Sequence, residues 1–530
     1  MKKAIVRKDS YFDSVFLMQL SKGLKTSEGV IDAVVAMGTP MNLELLRGMG
    51  YSGKELEGAT PNDLVTAVEC PDEAGVEAAF AKALELLARK KRSGPAAQAL
   101  PASLEAAVEF LPGANLALIS LPGAWAAREA RKALQKGLHV MLFSDNVSLE
   151  DEISLKTLGR EKGLLVMGPD CGTAIIDGKP LCFANVVREG PIGVVAASGT
   201  GLQEVTCLVD RYGSGISQGI GTGGRDLKNE KVGGITMLMG IEALARDAAT
   251  SVIAIVSKPP AKAVAERVVE ALEKAGKDAV VHFIGLEAPK TPRGSRIRYA
   301  RSLEETAALA FELATGRAPH IGDGELEAIA EREAKRLAPG QRFLRGYYTG
   351  GTVADEAMIL LHRLTGSVHS NNQTDPAFAL PDPKVSIGHT IVDLGDDVFT
   401  VGRPHPMIDP STRTERIVAE KDDPSIAVIL VDVVLGYGSH EDPAGALVPA
   451  LVEARKAAEA RGAYLPVVAS VIGTPGDYQG MASQVAKLEA AGCVVMPSNF
   501  RAATLAARIV AKVATPSDGT GSAAGKAGHK

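Results

Sequence analysis

Short apolar runs alternate with amphipathic stretches along most of the chain. From Lys3 to Leu87 they read as a strand (Lys3–Val6), a helix (Tyr11–Leu24), a strand (Ile31–Met37), a polar middle, a strand (Leu64–Val68) and a helix (Glu73–Leu87). That predicts a small α/β domain over residues 1–90. The stretch Ala88–Ser103 mixes basic residues with glycine, proline and small side chains, the composition of an exposed linker. From Asn115 the alternation is plainer, with strands at Leu116–Ser120, His139–Phe143 and Leu164–Met167 separated by helices at Ala124–Lys136 and Leu149–Lys162. Strands joined by helices of this length imply right-handed crossovers and a parallel sheet, here a domain over 104–190.

After Pro191 the pattern restarts with the strand Ile192–Ala196, the turn Ala197-Ser198-Gly199-Thr200-Gly201 and a helix to about Tyr212. Later strands at Gly215–Ile220, Val252–Val256 and Ala279–Ile284 complete a domain over 191–316. A charged helical connector (317–340) leads to a second version of the same opening, Phe343–Tyr348, then Thr349-Gly350-Gly351-Thr352, then a helix through Leu364. The two openings look like copies of one unit, and they agree again at Ser251–Val256 and Ile426–Val431. The second copy, 341–514, is longer and holds the extra segment Gly402-Arg403-Pro404-His405-Pro406-Met407-Ile408-Asp409-Pro410. Residues 515–530 are of low complexity and read as a disordered tail. The fold class is α/β, with several Rossmann-like and flavodoxin-like, doubly wound parallel-sheet domains.

Composition narrows the function classes. The 530 residues carry 58 Lys+Arg against 63 Asp+Glu, a formal charge of −5, which leaves no positive field for a polyanion and argues against nucleic-acid partners. The N-terminus MKKAIVRKDS has no apolar leader, and the longest apolar run, Ile426–Leu435, is broken by Asp432. The expectation is a cytoplasmic chain with no membrane span. Five cysteines, Cys70, Cys171, Cys182, Cys207 and Cys493, form no Cys-x-x-Cys pair, so reduced thiols and no metal site are expected.

Ser198-Gly199-Thr200-Gly201 lies between a buried strand and a helix, so its N–H groups and the positive end of the helix dipole converge on a seat for phosphate or carboxylate. A side chain at Gly199 is expected to crowd that seat. The alternative is that parallel α/β turns need glycine in any case. Gly350, Gly351 and Thr352 provide a matching terminus, and Gly436-Tyr437-Gly438-Ser439 a third after the strand Ile426–Val434. The loop containing Gly221, Gly223, Gly224 and Arg225 only loosely resembles a dinucleotide fingerprint; its arginine could hold phosphate or sit in a solvated charge pair. Asp170 and Cys171 end a strand, with a small buried thiol as the plain reading of Cys171. His405, between two prolines and followed by Asp409, suits an acid/base group or anion ligand, or a histidine that braces its own loop.

Gly168-Pro169-Asp170-Cys171-Gly172, then Gly193–Thr200, then Gly219–Gly224, resemble the α-subunit of succinyl-CoA synthetase. Gly346–Gly351 through Val392-Asp393-Leu394-Gly395 to Asp432–Gly438 resembles the CoA-ligase domain of its β-subunit. An α-type and a β-type half in one chain, with the extra N-terminal unit and the Gly402–Pro410 segment, is the layout of the FdrA family, and the resemblance covers nearly the whole chain. Two departures matter. The segment after Ala288-Pro289-Lys290 has no histidine before His320, so the synthetase's phosphohistidine is missing, and no ATP-grasp domain precedes the β-type half.

The resemblance implies that two helix ends, Ser198–Thr200 and Gly436–Gly438, face one phosphate. It further implies a subunit of an oxamate carbamoyltransferase in allantoin and purine catabolism. Its ligands would be phosphate or carbamoyl phosphate and a small carboxylate or amide, its partners co-encoded subunits. No cofactor is required, CoA remains possible, and His405 with Arg403 would orient the substrate. An acyl-CoA synthetase and a non-catalytic scaffold are the competing readings.

Overall fold

A computed structural model describes residues 1–92 and 101–513, apart from residues 11, 13, 26, 28, 102, 322–324 and 402. The expected disordered tail and the centre of the expected linker lie outside the described residues. The chain divides into two compact units, Met1–Ala107 with Thr400–Pro404, and Val108–Phe399 with the chain from His405.

The first unit runs β1 (Lys2–Arg7), α1 (Ser14–Lys25), β2 (Asp32–Met37), α2 (Pro40–Gly48), α3 (Lys54–Glu57), β3 (Leu64–Glu69) and α4 (Glu73–Arg92). Its three strands pair antiparallel in the order β1-β3-β2. The central strand is apolar on both sides and is buried on both, under α1 and α4 on one face and near α2 and α3 on the other. The last helix runs to Arg92, five residues beyond its expected end, because the basic Ala88–Arg92 segment continues a good helix former.

The division falls within α5 (Leu104–Phe110), after which the second unit runs β4 (Leu116–Ile119), α6 (Gly123–Gln135), β5 (His139–Leu142), α7 (Leu149–Lys162) and β6 (Val166–Met167). Its first sheet, β4-β5-β6, is parallel. Then come β7 (Thr173–Ile176), β8 (Lys179–Cys182), β9 (Glu189–Ala197), α8 (Gly199–Tyr212), β10 (Ile216–Gly221), α9 (Arg225–Lys228), α10 (Ile235–Arg246), β11 (Val252–Ser257), α11 (Lys262–Ala275), β12 (Asp278–Phe283), β13 (Ile297–Tyr299) and α12 (Leu303–Thr315). After α13 (Leu326–Ala334) follow β14 (Phe343–Tyr348), α14 (Gly351–Thr365), β15 (Thr390–Asp393), α15 (Asp397–Thr400), α16 (Ser411–Glu420), β16 (Ile426–Val434), α17 (Pro443–Ala460), β17 (Val467–Ile472), α18 (Met481–Ala490), β18 (Val494–Met496) and α19 (Asn499–Val513).

The two copies share one topology. Parallel strands run β13-β12-β11-β9-β10 in the first and β18-β17-β16-β14-β15 in the second, the flavodoxin-like order in which the first strand lies beside the second and third. The boundary expected at residue 190 does not separate sheets, because the hairpin β7–β8 continues the first copy's sheet by pairing antiparallel with β10. Asp177 and Gly178, both at positive φ (50° and 67°), make its two-residue turn, the conformation that Asp-Gly favours.

Helices α8, α12, α14 and α19 lie between the two copies' sheets and share one core, containing Leu202, Val205, Ala307, Val353, Leu361, Leu505 and Ile509. Each copy caps a helix of the other. Glu204 of α8 accepts the Asn499 N–H that opens α19 (2.9 Å), and Glu356 of α14 accepts the Leu303 N–H that opens α12 (2.8 Å). Burial raises both carboxyls to about 7.

Candidate functional site

The site starts from the two glycine turns. Ser198 is the N-cap of α8: its Oγ accepts the Gly201 N–H (2.9 Å) and donates to Thr352 Oγ1 in the first turn of α14 (2.7 Å). The two helix ends therefore meet. Gly201 and Gly350 permit the approach, since a Cβ at Gly201 would lie 3.1 Å from Thr352 Cγ2 and one at Gly350 only 2.7 Å from Thr200 Cγ2. At Gly199 a Cβ would meet only Thr173 Oγ1 among the chain's own atoms, at 3.4 Å, so the turn itself does not need glycine at that position.

Asp432 takes the two amides that precede α14. Thr349 N and Gly350 N donate to Asp432 (2.9 and 3.0 Å), as does Thr349 Oγ1 (2.9 Å), and Asp432 is ion-paired with buried Arg413 (3.0 Å). Burial works against both charges, while these donors favour the ionised carboxylate. Among the described residues, no group of the chain accepts from Gly199 N or Thr200 N. The equivalent amides of α14, Gly351 N and Thr352 N, likewise have no acceptor among the described residues, so both helix ends are open to an outside anion.

Around the first turn of α14 stands a polar cluster. Lys258, directly after β11, pairs with Asp355 (2.8 Å), and Asn372 Nδ2 donates to Asp355 Oδ1 (3.2 Å) and Asp393 Oδ2 (3.1 Å). A Cβ at Gly351 would reach both Asp393 Oδ2 (2.5 Å) and Lys258 Nζ (3.6 Å). Burial disfavours the Lys258 ammonium, but Asp355, and then Asp393 and Asp170, hold its pKa above the usual lysine value. Asp393 is raised to about 6 by desolvation, against the pull of Lys258. Asp170 is also raised to about 6, by desolvation and then Asp145, with Lys258 opposing; water still reaches it, as expected of a group walled into a cleft.

His405 belongs to this neighbourhood. A Cβ at Gly395 would lie 2.5 Å from His405 Nε2 and 3.2 Å from Asp393 Oδ1. Desolvation lowers the imidazole to about 4, and its Nδ1 accepts the Met407 N–H (3.2 Å), so the ring is neutral near pH 7 with its proton on Nε2. Asp409 does not orient it; that carboxylate accepts the Ser411 N–H (3.0 Å) at the start of α16. Arg403 is exposed and falls in the first unit.

Other expected site residues have structural work. Arg225 pairs with Glu152 (2.8 Å) and donates to Val147 O (2.7 Å), joining the buried Lys156–Asp226 network (2.8 Å) rather than offering its guanidinium to phosphate. Gly221 and Gly223 admit neighbouring chain, since a Cβ would lie 2.5 Å from Cys171 Sγ at the first and 2.1 Å from Pro169 O at the second. Gly224 opens only the four-residue α9. Burial pushes the Cys171 thiol up to about 12, the state of an inert core cysteine.

Gly436-Tyr437-Gly438-Ser439 is not a helix end. It is a loop against residues 182–185, with Tyr437 N donating to Ala184 O (2.9 Å), and α17 begins only at Pro443. The partner of the Ser198 end is therefore Gly350–Thr352. Ser439 is buried with its hydroxyl unpartnered.

The expectations did not single out Lys258, Asp355, Asn372 and Asp393 as site residues. The available signal was a charged residue at the carboxyl end of an apolar parallel strand, as at Lys258 and Asp393, where ligands of such sheets bind.

Three family models match the chain: the AllF heavy metal-associated domain over residues 1–102, the CoA binding domain over 187–285 and the CoA-ligase domain over 347–509. The CoA-binding match falls on the first copy. Residues 1–102 hold one cysteine, Cys70, which is buried with a raised pKa, and no histidine, a donor set that does not fit a heavy metal.

The Escherichia coli (strain K12) protein YahF is 45% identical over 513 residues, 96% of this chain and 99% of that one. The alpha subunit of succinate–CoA ligase [ADP-forming] from Aquifex aeolicus (strain VF5) is 27% identical over 198 residues, 36% of this chain and 62% of the subunit. Among solved structures, an ATP citrate lyase from Methanothrix soehngenii matches at 18% identity with a TM-score of 0.35, over 44% of this chain and 45% of that one. The chain carries CoA-binding and CoA-ligase domains of the succinyl-CoA synthetase kind. No helix among the described residues is long and apolar enough to cross a membrane.

Proposed function

The chain belongs to the family of Escherichia coli YahF, and from that premise we propose that it is a cytoplasmic, FdrA-type subunit of a group-transfer enzyme that moves a carbamoyl or acyl group to phosphate. The observation that carries this reading is the open end of α8, with Gly199 N and Thr200 N free to bind phosphate, abutting α14 beside Lys258.

In the favoured reaction oxalurate and phosphate give oxamate and carbamoyl phosphate. A phosphate oxygen forms a C–O bond to the carbamoyl carbon, the C–N bond to oxamate breaks, and the proton of hydrogen phosphate passes to the departing nitrogen. The amides of α8 and the Lys258 ammonium hold the phosphate charge, and the His405 Nε2–H donates to a substrate oxygen. Asp393 and Asp170, both at about 6, can relay the proton near neutral pH. The test is phosphate-dependent carbamoyl phosphate formation from oxalurate without CoA or ATP, using this chain, its co-encoded subunits, and the mixture. Product from the mixture supports the reading, and no product in any arm overturns it.

An acid–thiol ligase is the second reading, favoured by the CoA-binding and CoA-ligase matches. It requires saturable CoA binding and CoA-dependent turnover once ATP and an acyl acid are supplied.

A further inference from the structure

The two copies differ where the last two strands of each sheet are joined. In the second copy α18 makes the connection and packs on α17, β17 and β18. In the first copy the chain passes from β12 to β13 through residues 284–296 without a helix. A groove of about 470 Å³ lies along α11, β12 and β13, the elements that correspond to those under α18. Its floor is apolar, with Val269 of α11, Phe283 of β12, Tyr299 of β13 and the 47%-exposed Leu286.

The rim is acidic. Glu266, Glu270 and Glu273 share one face of α11, Glu287 closes the loop side, and among the described residues no lysine or arginine lines the groove. Among the described residues, none of the four glutamates has an ion-pair or hydrogen-bond partner. Unneutralised like charges beside exposed apolar surface cost stability unless a cationic apolar group covers them.

We propose that this groove receives an amphipathic helix of a partner protein, apolar on one face and flanked by lysine or arginine, seated as α18 is seated in the second copy. Charge complementarity and the vacancy left by the duplication identify the occupant together.

The test uses the full chain and a synthetic helical peptide with leucines at helical spacing and flanking lysines, read by fluorescence anisotropy. The peptide is expected to bind, to protect α11 and β13 from hydrogen exchange, and to lose about tenfold or more in affinity to the E266K/E270K variant. Both substitutions lie on an exposed helix face, and an unchanged melting temperature confirms that the variant is folded. A peptide with glutamates in place of lysines is expected not to bind. Absence of binding by the basic peptide, equal binding by the acidic one, or unchanged affinity in the folded variant overturns the proposal. So does a wild-type dimer that the variant disperses, which would make the occupant a second copy.

Discussion

The two copies have the same strand order, yet their equivalent helix ends have different electrostatic surroundings. In β16 the residue level with the turn is Asp432, which takes the Thr349 and Gly350 amides and is itself neutralised by Arg413. In β11 the same place is filled by Val256, whose partner in the adjacent strand is Ala196, two residues before Ser198. One substitution in a buried strand therefore places a carboxylate beneath the turn before α14, where Thr349 N and Gly350 N donate to it, and none beneath the turn before α8. The duplication supplies two termini whose first two helical amides are without an acceptor among the described residues, and only the second has a buried Asp432–Arg413 pair behind its turn.

The largest effect is expected on removing that internal anion. Asp432→Asn leaves Arg413 buried and unpaired, and should cost about 3–5 kcal/mol in denaturant unfolding. Adding Arg413→Met to Asp432→Asn, which removes the unpaired charge but keeps an acceptor for Thr349 N and Gly350 N, should recover much of that loss. A double variant no more stable than Asp432→Asn would contradict the comparison.

Next is the cation at the junction. Lys258→Met should lower kcat/KM for the phosphate-dependent reaction by about 100-fold while changing the melting temperature little, because the lysine is partly exposed.

The reciprocal caps come third. Glu204 and Glu356 have folded pKa values near 7, above the unfolded carboxyl value, so their favourable contribution is complete below about pH 4.5 and is lost as pH rises through 7. Glu204→Gln and Glu356→Gln should each remove part of that loss, gaining about 1–3 kcal/mol at pH 8 relative to pH 5 in paired melts. Equal effects at the two pH values would show that the carboxyls titrate normally.

The smallest effect concerns His405. Its folded pKa of about 4 lies below the unfolded imidazole value, so the stability it contributes above pH 6.5 is lost as pH falls toward 4. An inflection in rate near pH 6 should belong to Asp393 or Asp170 and disappear in Asp393→Asn or Asp170→Asn, while His405→Gln, which keeps a donor, loses about tenfold or less. An inflection removed by His405→Gln instead would assign the titration to the imidazole.

Much of the architecture was legible because parallel strands buried on both faces leave continuous apolar runs, as at Val252–Val256 and Ile426–Val434. The repeat was legible from its two glycine turns. The hairpin β7–β8 was missed although Asp177-Gly178 marks its turn, because its short strands have no long alternation. The Gly436–Ser439 turn was misread as a helix end because it also follows an apolar strand. The distinction lies in the three further residues between Ser439 and Pro443, and in the Ala184 carbonyl that holds Tyr437 N.

Local pattern determined the strands, the helices and the duplication, since burial periodicity and glycine in tight turns are properties of neighbouring residues. Tertiary structure decided that Ser198 meets Thr352, 154 positions away, and that Asp432 accepts the two amides before α14. It also gathered Lys258, Asp355, Asn372, Asp393 and His405 around one spot. Such pairings depend on how two sheets stack across a shared helical layer, and the strength of each charge depends on the burial that this stacking creates.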